Sequence, residues 1–202
     1  MKLIYSIPDK LYYIQNFLDY PTYKKLHYDV FKSKLINLRT TKEEWEKGLS
    51  HGFKEYVDHT ALDTKHKALE KIKILLQNNV FHKVKLKYFQ PLIHSMSEGV
   101  GINWHNDAGH EYGITYYINR RWNPKFGGEF MFHDSKSSNG FIPPVGNSIV
   151  IIKAPLDHKV APVMKPLIPR KTIQIFINEN QHPSMLIDTK LKGKKQNERK
   201  NS

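Results

Sequence analysis

His105-Asn106-Asp107, followed by His158 and, twelve residues after that, by Arg170, is the grouping in this sequence best suited to chemistry. Two imidazoles and one carboxylate form the ligand set that holds a catalytic non-haem Fe(II) while leaving half of its coordination sphere open. An open ferrous ion means oxygen chemistry. A second His-x-Asp triplet, His27-Tyr28-Asp29, competes with the first but falls in a stretch of helical periodicity. On a helix, positions i and i+2 point roughly 200° apart and cannot grip one ion, whereas in an extended or turning segment they share a face. Only the later triplet can chelate. His133-Asp134 and His110-Glu111 set neighbouring side chains on opposite faces of a strand, so neither pair is expected to act together. No HExxH pattern occurs, which removes the common zinc-protease reading.

The elements that must position these residues change character along the chain. Asp19 and Pro21 open a stretch in which Tyr23, Leu26, Val30 and Phe31 recur at helical spacing. Thr41-x-x-Glu44 is a capping box ahead of a short helix around Trp45, and Thr64 is placed to cap a third helix with Leu69, Ile72, Leu75 and Leu76 on one face. From residue 82 the period becomes two. Val84, Leu86 and Tyr88 alternate with lysines, and Gly113 to Asn119, Glu129 to His133, Asn147 to Ala154 and Lys171 to Asn178 are further strands. Asn123-Pro124, Gly127-Gly128, Ser137-Ser138-Asn139-Gly140 and Pro143-Pro144-Val145-Gly146 are turn chemistry between them. The expectation is a mainly β chain with supporting helices, its strands forming an antiparallel sandwich or barrel.

Size and charge set the outer bounds. With 202 residues, 39% of them hydrophobic and 12% aromatic, the chain suits one domain over 1–185, helical support lying mostly in 1–80 and the β core in about 82–180, followed by a basic, disordered tail over 186–202. Cysteine is absent, which excludes disulfides, iron–sulfur clusters and thiol catalysis and leaves any metal to His and carboxylates. Of the net charge of +13, the last thirteen residues carry six cations against one anion, which leaves +8 for the body and favours an acidic partner. An early break in the N-terminal apolar run and the lack of a membrane-length stretch lead to the expectation of a soluble, cytoplasmic protein with no membrane partner.

On the strand around Arg170, residues Arg170, Thr172 and Gln174 face one way and Ile173, Ile175 and Ile177 the other. An arginine pointing into a barrel is costly unless it binds an anion, and a dicarboxylate cosubstrate would supply one. Thr172 shares that face and joins Arg170 as a candidate contact.

The span from Val84 to Ile177 resembles the Fe(II)/2-oxoglutarate-dependent oxygenases and, within them, the prolyl-4-hydroxylase-like branch. Besides the His-x-Asp, His and Arg order, the matching residues are Ile114-Thr115-Tyr116-Tyr117-Ile118-Asn119, Trp122, Gly127-Gly128-Glu129-Phe130, Val145-Gly146 and His158-Lys159-Val160-Ala161-Pro162-Val163. The resemblance implies a double-stranded β-helix (jelly-roll) core, with His105, Asp107 and His158 as iron ligands. It implies that Arg170 binds the distal carboxylate of 2-oxoglutarate, with Tyr117 and Tyr88 as further hydrogen-bonding candidates; for each tyrosine the alternative is an ordinary core aromatic. Fe(II), 2-oxoglutarate, O2 and ascorbate as reductant would be the cofactors and cosubstrates. The reaction implied is hydroxylation of a protein or peptide side chain, with proline as the target. The gap from His158 to Arg170 is a few residues longer than the family's, and Met164 to Pro169 reads as an enlarged turn. Lys171 is therefore the substitute for Arg170, although it would face the apolar side.

Three other readings compete. An AlkB-type nucleic-acid demethylase suits the charge, but such enzymes carry a second arginine six positions after the first, and position 176 here is Phe. A zinc hydrolase would use the same three ligands but gives Arg170 no role. A non-catalytic binding module on the same fold is the third. Arg39, Lys42, Trp45, Lys47, His51 and Lys54, beside Gly48 and Gly52, make 37–59 the candidate substrate lid, with a solvated connector as the alternative. Asn103 and Trp104 are expected to shape the pocket, and His133 to be a surface residue.

Overall fold

A computed structural model of the chain describes residues 1–32, 48–53, 57–61, 65–81, 86, 91–134 and 138–178. Its elements in order are β1 (Lys2–Ile7), β2 (Leu11–Gln15), α1 (Tyr20–Lys32), β3 (Asp58–Ala61), α2 (Lys67–Asn79), β4 (Pro91–Met96) and β5 (Ile102–His105). They continue with β6 (Tyr112–Tyr117), β7 (Phe130–Asp134), β8 (Ser138–Ile142), β9 (Ser148–Lys153), β10 (Asp157–Val160) and β11 (Arg170–Ile177). The strands form two antiparallel sheets. The larger has the order β1-β2-β9-β6-β11-β4-β3 and the smaller β5-β10-β7-β8. Two facing antiparallel sheets with helical support are the jelly-roll expected.

Both helices cover the outer face of the larger sheet. α1 buries Tyr23, Leu26 and Val30, and α2 buries Leu69, Ile72 and Leu76, against Ile93, Ile114, Ile149, Ile151, Ile173 and Ile175 of the strands. Each such aliphatic side chain contributes about 2 kcal/mol through the area it removes from water. Asp19 caps α1, accepting from the Thr22 amide at 3.0 Å, as its position before Pro21 suggests. Between the sheets lies a second core of Leu11, Tyr13, Tyr117, Phe130, Phe132 and Val150. Lys10, in the turn after β1, reaches both carboxylate oxygens of Asp134 on β7 at 2.8 and 2.9 Å and ties the sheets together at one end.

Several expectations need correction. The front of the chain is not purely helical, because β1 and β2 form a hairpin that extends the larger sheet through β9. The turn between them uses Asp9 at φ 59, a left-handed conformation that Asp tolerates. Ser138 to Gly140 is not a turn but part of β8, with Asn139 opposite His133 and Gly140 opposite Phe132. The Phe132 ring fills the space a side chain at 140 would need, so glycine there serves packing. α2 is capped by His66, whose Nδ1 accepts from the Ala68 amide at 3.2 Å; Thr64, the expected cap, lies outside the described residues. The helix expected around Trp45, the strand expected through Val84 and Tyr88, and residues 179–202 lie outside the described residues, apart from Leu86. Among the described residues no helix is long and apolar enough to cross a membrane.

Candidate active site

His105 and His158 face each other as register partners across β5 and β10. Their Nδ1 atoms lie 2.7 Å from the Asn103 carbonyl and 2.8 Å from the Leu156 carbonyl. A carbonyl only accepts, so each ring donates from Nδ1 and presents an unprotonated Nε2 inward. Asp107 follows β5 in a left-handed conformation, φ 51, which turns its carboxylate back between the rings. Its two oxygens stand 3.5 Å from His105 Nε2 and 3.5 Å from His158 Nε2. One donor atom from each of the three residues lies within 4.8 Å of the others. The sequence expectation that i and i+2 would share a face is met by this turn rather than by a continuous strand.

The donor set suits a ferrous ion. Burial, then the neighbouring His105, pushes the His158 imidazole down to about 4, so it is neutral and ready to ligate at ordinary pH. Its ring stacks on Phe130 at 5.1 Å. Gly113 on β6 leaves room for the carboxylate: a Cβ there would stand 2.8 Å from Asp107 Oδ2.

Arg170 opens β11 and is 1% exposed. Its Nη1 approaches Met96 Sδ at 3.4 Å, and its guanidinium carbon lies 5.2 Å from the centroid of the Tyr117 ring. Among the described residues, neither Arg170 Nε, Arg170 Nη2 nor the Tyr117 hydroxyl has a hydrogen-bond partner. Three converging buried polar atoms without partners are expensive, and a carboxylate would satisfy them. Burial pushes the Tyr117 phenol up to about 12 and pulls the Arg170 guanidinium down, against the opposing effect each has on the other. Thr172 is buried opposite Tyr117 on β6, hence on the same face. Gly128, at φ 73, stands so close that a Cβ would meet Arg170 Cδ at 2.7 Å. Trp122 fixes that turn by donating to the Gly127 carbonyl at 2.8 Å.

Lys171 points the other way. Its ammonium donates to the Val30 carbonyl at 3.3 Å and sits 4.7 Å from the centroid of the Phe31 ring, on the helical side. The enlarged turn therefore leaves Arg170, not Lys171, on the face between the sheets.

A cleft of about 1000 Å³ opens on the His105 and Asp107 side, walled by Leu49, Trp104, Met131, Phe132 and Phe141. Trp104 lines it as expected, with the Lys159 ammonium 5.2 Å from its ring centroid. Asn103 contributes differently, donating to the carbonyls of Gly48 and His51 at 3.0 and 2.9 Å and so fastening 48–53 beside the cleft. Of the expected lid, Arg39, Lys42, Trp45, Lys47 and Lys54 lie outside the described residues, as does Tyr88. His133 is exposed but lines the cleft; it pairs with Asn139. Sequence reading missed the two spacing glycines, Gly113 and Gly128, and the contribution of Met96. The Gly-Gly turn was visible, but not what it leaves room for.

The sequence model of the 2OG-Fe(II) oxygenase superfamily matches residues 91–178. Residues 91–178 belong to the 2OG-Fe(II) oxygenase superfamily. That stretch contains His105, Asp107, Tyr117, His158, Arg170 and Thr172. The fold is shared with a Pseudomonas putida prolyl-4-hydroxylase at TM-score 0.65 and 14% identity, covering 86% of this chain and 95% of that one. A Trichoplax adhaerens prolyl hydroxylase, solved with a peptide fragment of the hypoxia inducible factor oxygen degradation domain, matches at TM-score 0.65 and 15% identity, covering 85% of this chain and 84% of that one. The non-heme alpha ketoglutarate dependent epimerase SnoN of nogalamycin biosynthesis matches at TM-score 0.60 and 11% identity, covering 84% of this chain and 79% of that one. No protein of curated function matches the sequence. Members of that superfamily are oxygenases that use Fe(II), 2-oxoglutarate and O2.

Proposed function

We propose that this oxygenase hydroxylates a protein or peptide side chain, with proline as the target. The observation that carries the cosubstrate half of this reading is the buried guanidinium of Arg170, whose Nε and Nη2 have no partner among the described residues, beside the equally unpartnered hydroxyl of Tyr117. His105, Asp107 and His158 would hold Fe(II), and Arg170, Tyr117 and Thr172 would receive the distal carboxylate of 2-oxoglutarate. When bound, the iron and 2-oxoglutarate supply the oxidising power, with O2 consumed and succinate and CO2 formed. The chain's own contribution is positional. The Asn103 and Leu156 carbonyls hold both imidazoles in the ligating tautomer. The cleft beside the triad is wide and walled by Trp104, Met131 and Phe141, and so suits a chain segment with an apolar ring.

The peptide bound in one of the similar prolyl hydroxylases supports a peptide substrate here. The AlkB-type alternative loses further ground, because Phe176 stacks on His110 at 4.2 Å where a second arginine would be needed. The test is to supply Fe(II), 2-oxoglutarate and ascorbate with a library of proline-containing peptides. Succinate formation coupled to a peptide mass gain of one oxygen atom is the expected result. Turnover stimulated instead by methylated nucleic acid, with no gain on any peptide, would overturn the proposal.

A further inference from the structure

The positive charge of the body does not gather at the cleft, where no described lining residue is Lys or Arg. A group of exposed cations, Arg120, Arg121, Lys125 and Lys165, stands instead at the opposite end of β11. That strand runs from Arg170, opposite Met96, to Ile177, opposite Tyr112, and its cleft end carries the Phe176 ring stacked on His110. Eight residues of strand separate the two ends by about 25 Å. The loop 161–169 emerges at the Arg170 end, and its base is firmly tied. Val163 donates to the Val100 carbonyl at 2.9 Å, Met164 to Phe126 at 2.8 Å, and Asn119 Nδ2 to Pro169 at 2.9 Å.

Beyond those ties the side chains stand out in water. Leu167 is 92% exposed, Met164 55% and Ile168 43%. Exposed beside them are Lys165 on the same loop and Arg120, Arg121 and Lys125 on the adjoining stretch 119–128; neither segment contains Asp or Glu. Asp19, next to the Tyr20 whose hydroxyl Arg120 binds, is already held by Lys71. Two carboxylates border the loop, Glu98 beside the Gly99 that donates to the Val163 carbonyl and Glu129, whose carbonyl accepts from Ala161, so the four cations still outnumber the anions. Exposed aliphatic side chains on an anchored loop with this net positive surround form a combination that lipid headgroups and the acyl boundary satisfy together. A nucleic acid would instead call for exposed aromatic platforms, and an acidic protein would need a surface shaped to cover a protruding tip.

We propose that this tip docks on an anionic lipid surface, with Leu167 and Ile168 entering the headgroup boundary and Arg120, Arg121, Lys125 and Lys165 meeting the lipid phosphates. The absence of a spanning segment, which led to the expectation of no membrane partner, does not bear on such a contact. Docking by this end leaves the cleft open to solution.

Sedimentation of the full chain with phosphatidylcholine vesicles, with and without phosphatidylserine, tests it. The chain is expected to pellet with the anionic vesicles only. The double variant Leu167→Ser/Ile168→Ser keeps every charge, including the basic C-terminal run, and is expected to bind about tenfold more weakly or worse, given the value of burying a leucine-sized side chain. Its melting temperature should equal that of the wild type, and Leu167→Ser alone should show an intermediate loss. Equal pelleting of wild type and double variant would mean that charge alone is at work and would overturn the proposal. So would a wild type that ignores anionic vesicles but binds polyglutamate, which would assign the tip to an acidic protein.

Discussion

His27-Tyr28-Asp29 and His105-Asn106-Asp107 share their outer residues and have opposite fates. On α1, His27 packs between the rings of Tyr23 and Phe31, while Asp29 leaves on another face to meet Lys25 and His66. After β5, one left-handed residue folds Asp107 back onto two imidazoles. Backbone conformation, not composition, separates a helix-surface ion pair from a candidate metal centre. Arg170 and Lys171 repeat the contrast at single-residue resolution. They are adjacent cations, both buried, yet Lys171 finds the Val30 carbonyl and Arg170 is left with N–H groups to spend on an anion.

The sharpest way to break the comparison is to remove each aspartate. Asp107→Ala is expected to lower iron-dependent 2-oxoglutarate turnover by more than about 100-fold, beyond what loss of a supporting partner costs a metal site. Its melting temperature should stay close to that of the wild type, and unchanged turnover would remove the metal assignment. Next, Arg170→Ala should raise the 2-oxoglutarate concentration for half-maximal turnover about 30-fold or more, because truncating one side of a buried charge pair costs about 2–5 kcal/mol. Lys171→Met should hardly move it; the reverse order would mean the two side chains had exchanged roles. Gly128→Ala tests the same pocket indirectly. A strained left-handed alanine costs about 1–3 kcal/mol and pushes on Arg170, so both stability and 2-oxoglutarate affinity should fall, though less than in Arg170→Ala. Gly48→Ala, with nothing within 4 Å of the new Cβ, is the neutral control.

The smallest effect belongs to the helical triplet. Asp29→Asn should leave turnover intact and cost about 0.5 kcal/mol of stability, the worth of a solvent-exposed pair. Hydrogen bonding from His66, and then from Lys25, holds the Asp29 carboxyl below its ordinary value of 3.8. Its contribution is therefore complete above that value and is lost as pH falls through the lowered folded-state value. Melting curves of wild type and variant should converge on acidification below about pH 3.8; divergence there would contradict the pairing.

What the sequence made legible was what local pattern carries. The strands β6, β7, β9 and β11 announced themselves through β-branched and aromatic runs, and the register of β11 followed from Ile173, Ile175 and Ile177. The hairpin β1–β2 was obscured because Leu3-Ile4-Tyr5 and Tyr12-Tyr13-Ile14 are continuous apolar stretches rather than alternations. β8 was hidden by its Ser-Asn-Gly composition, which mimics a turn until the ring of Phe132 is placed over Gly140. In the candidate site the ordering of His, Asp, His and Arg was readable. The meeting of the Arg170 guanidinium with the Tyr117 hydroxyl and Met96 was not, because it depends on three separate strands and a glycine turn converging at one point. The preference of α2 for His66 as its cap likewise depends on Asp29, distant in sequence.

The smaller sheet ends at β5, four residues long, and only two rungs fasten it to β10: His105 opposite His158, and Ile102 opposite Val160. One of those rungs is the pair that faces Asp107. An ion gripped there would act as a rivet through the margin of the sheet, so fraying of that margin and escape of the ion become the same event. With an ion bound, this edge could not loosen without also releasing it.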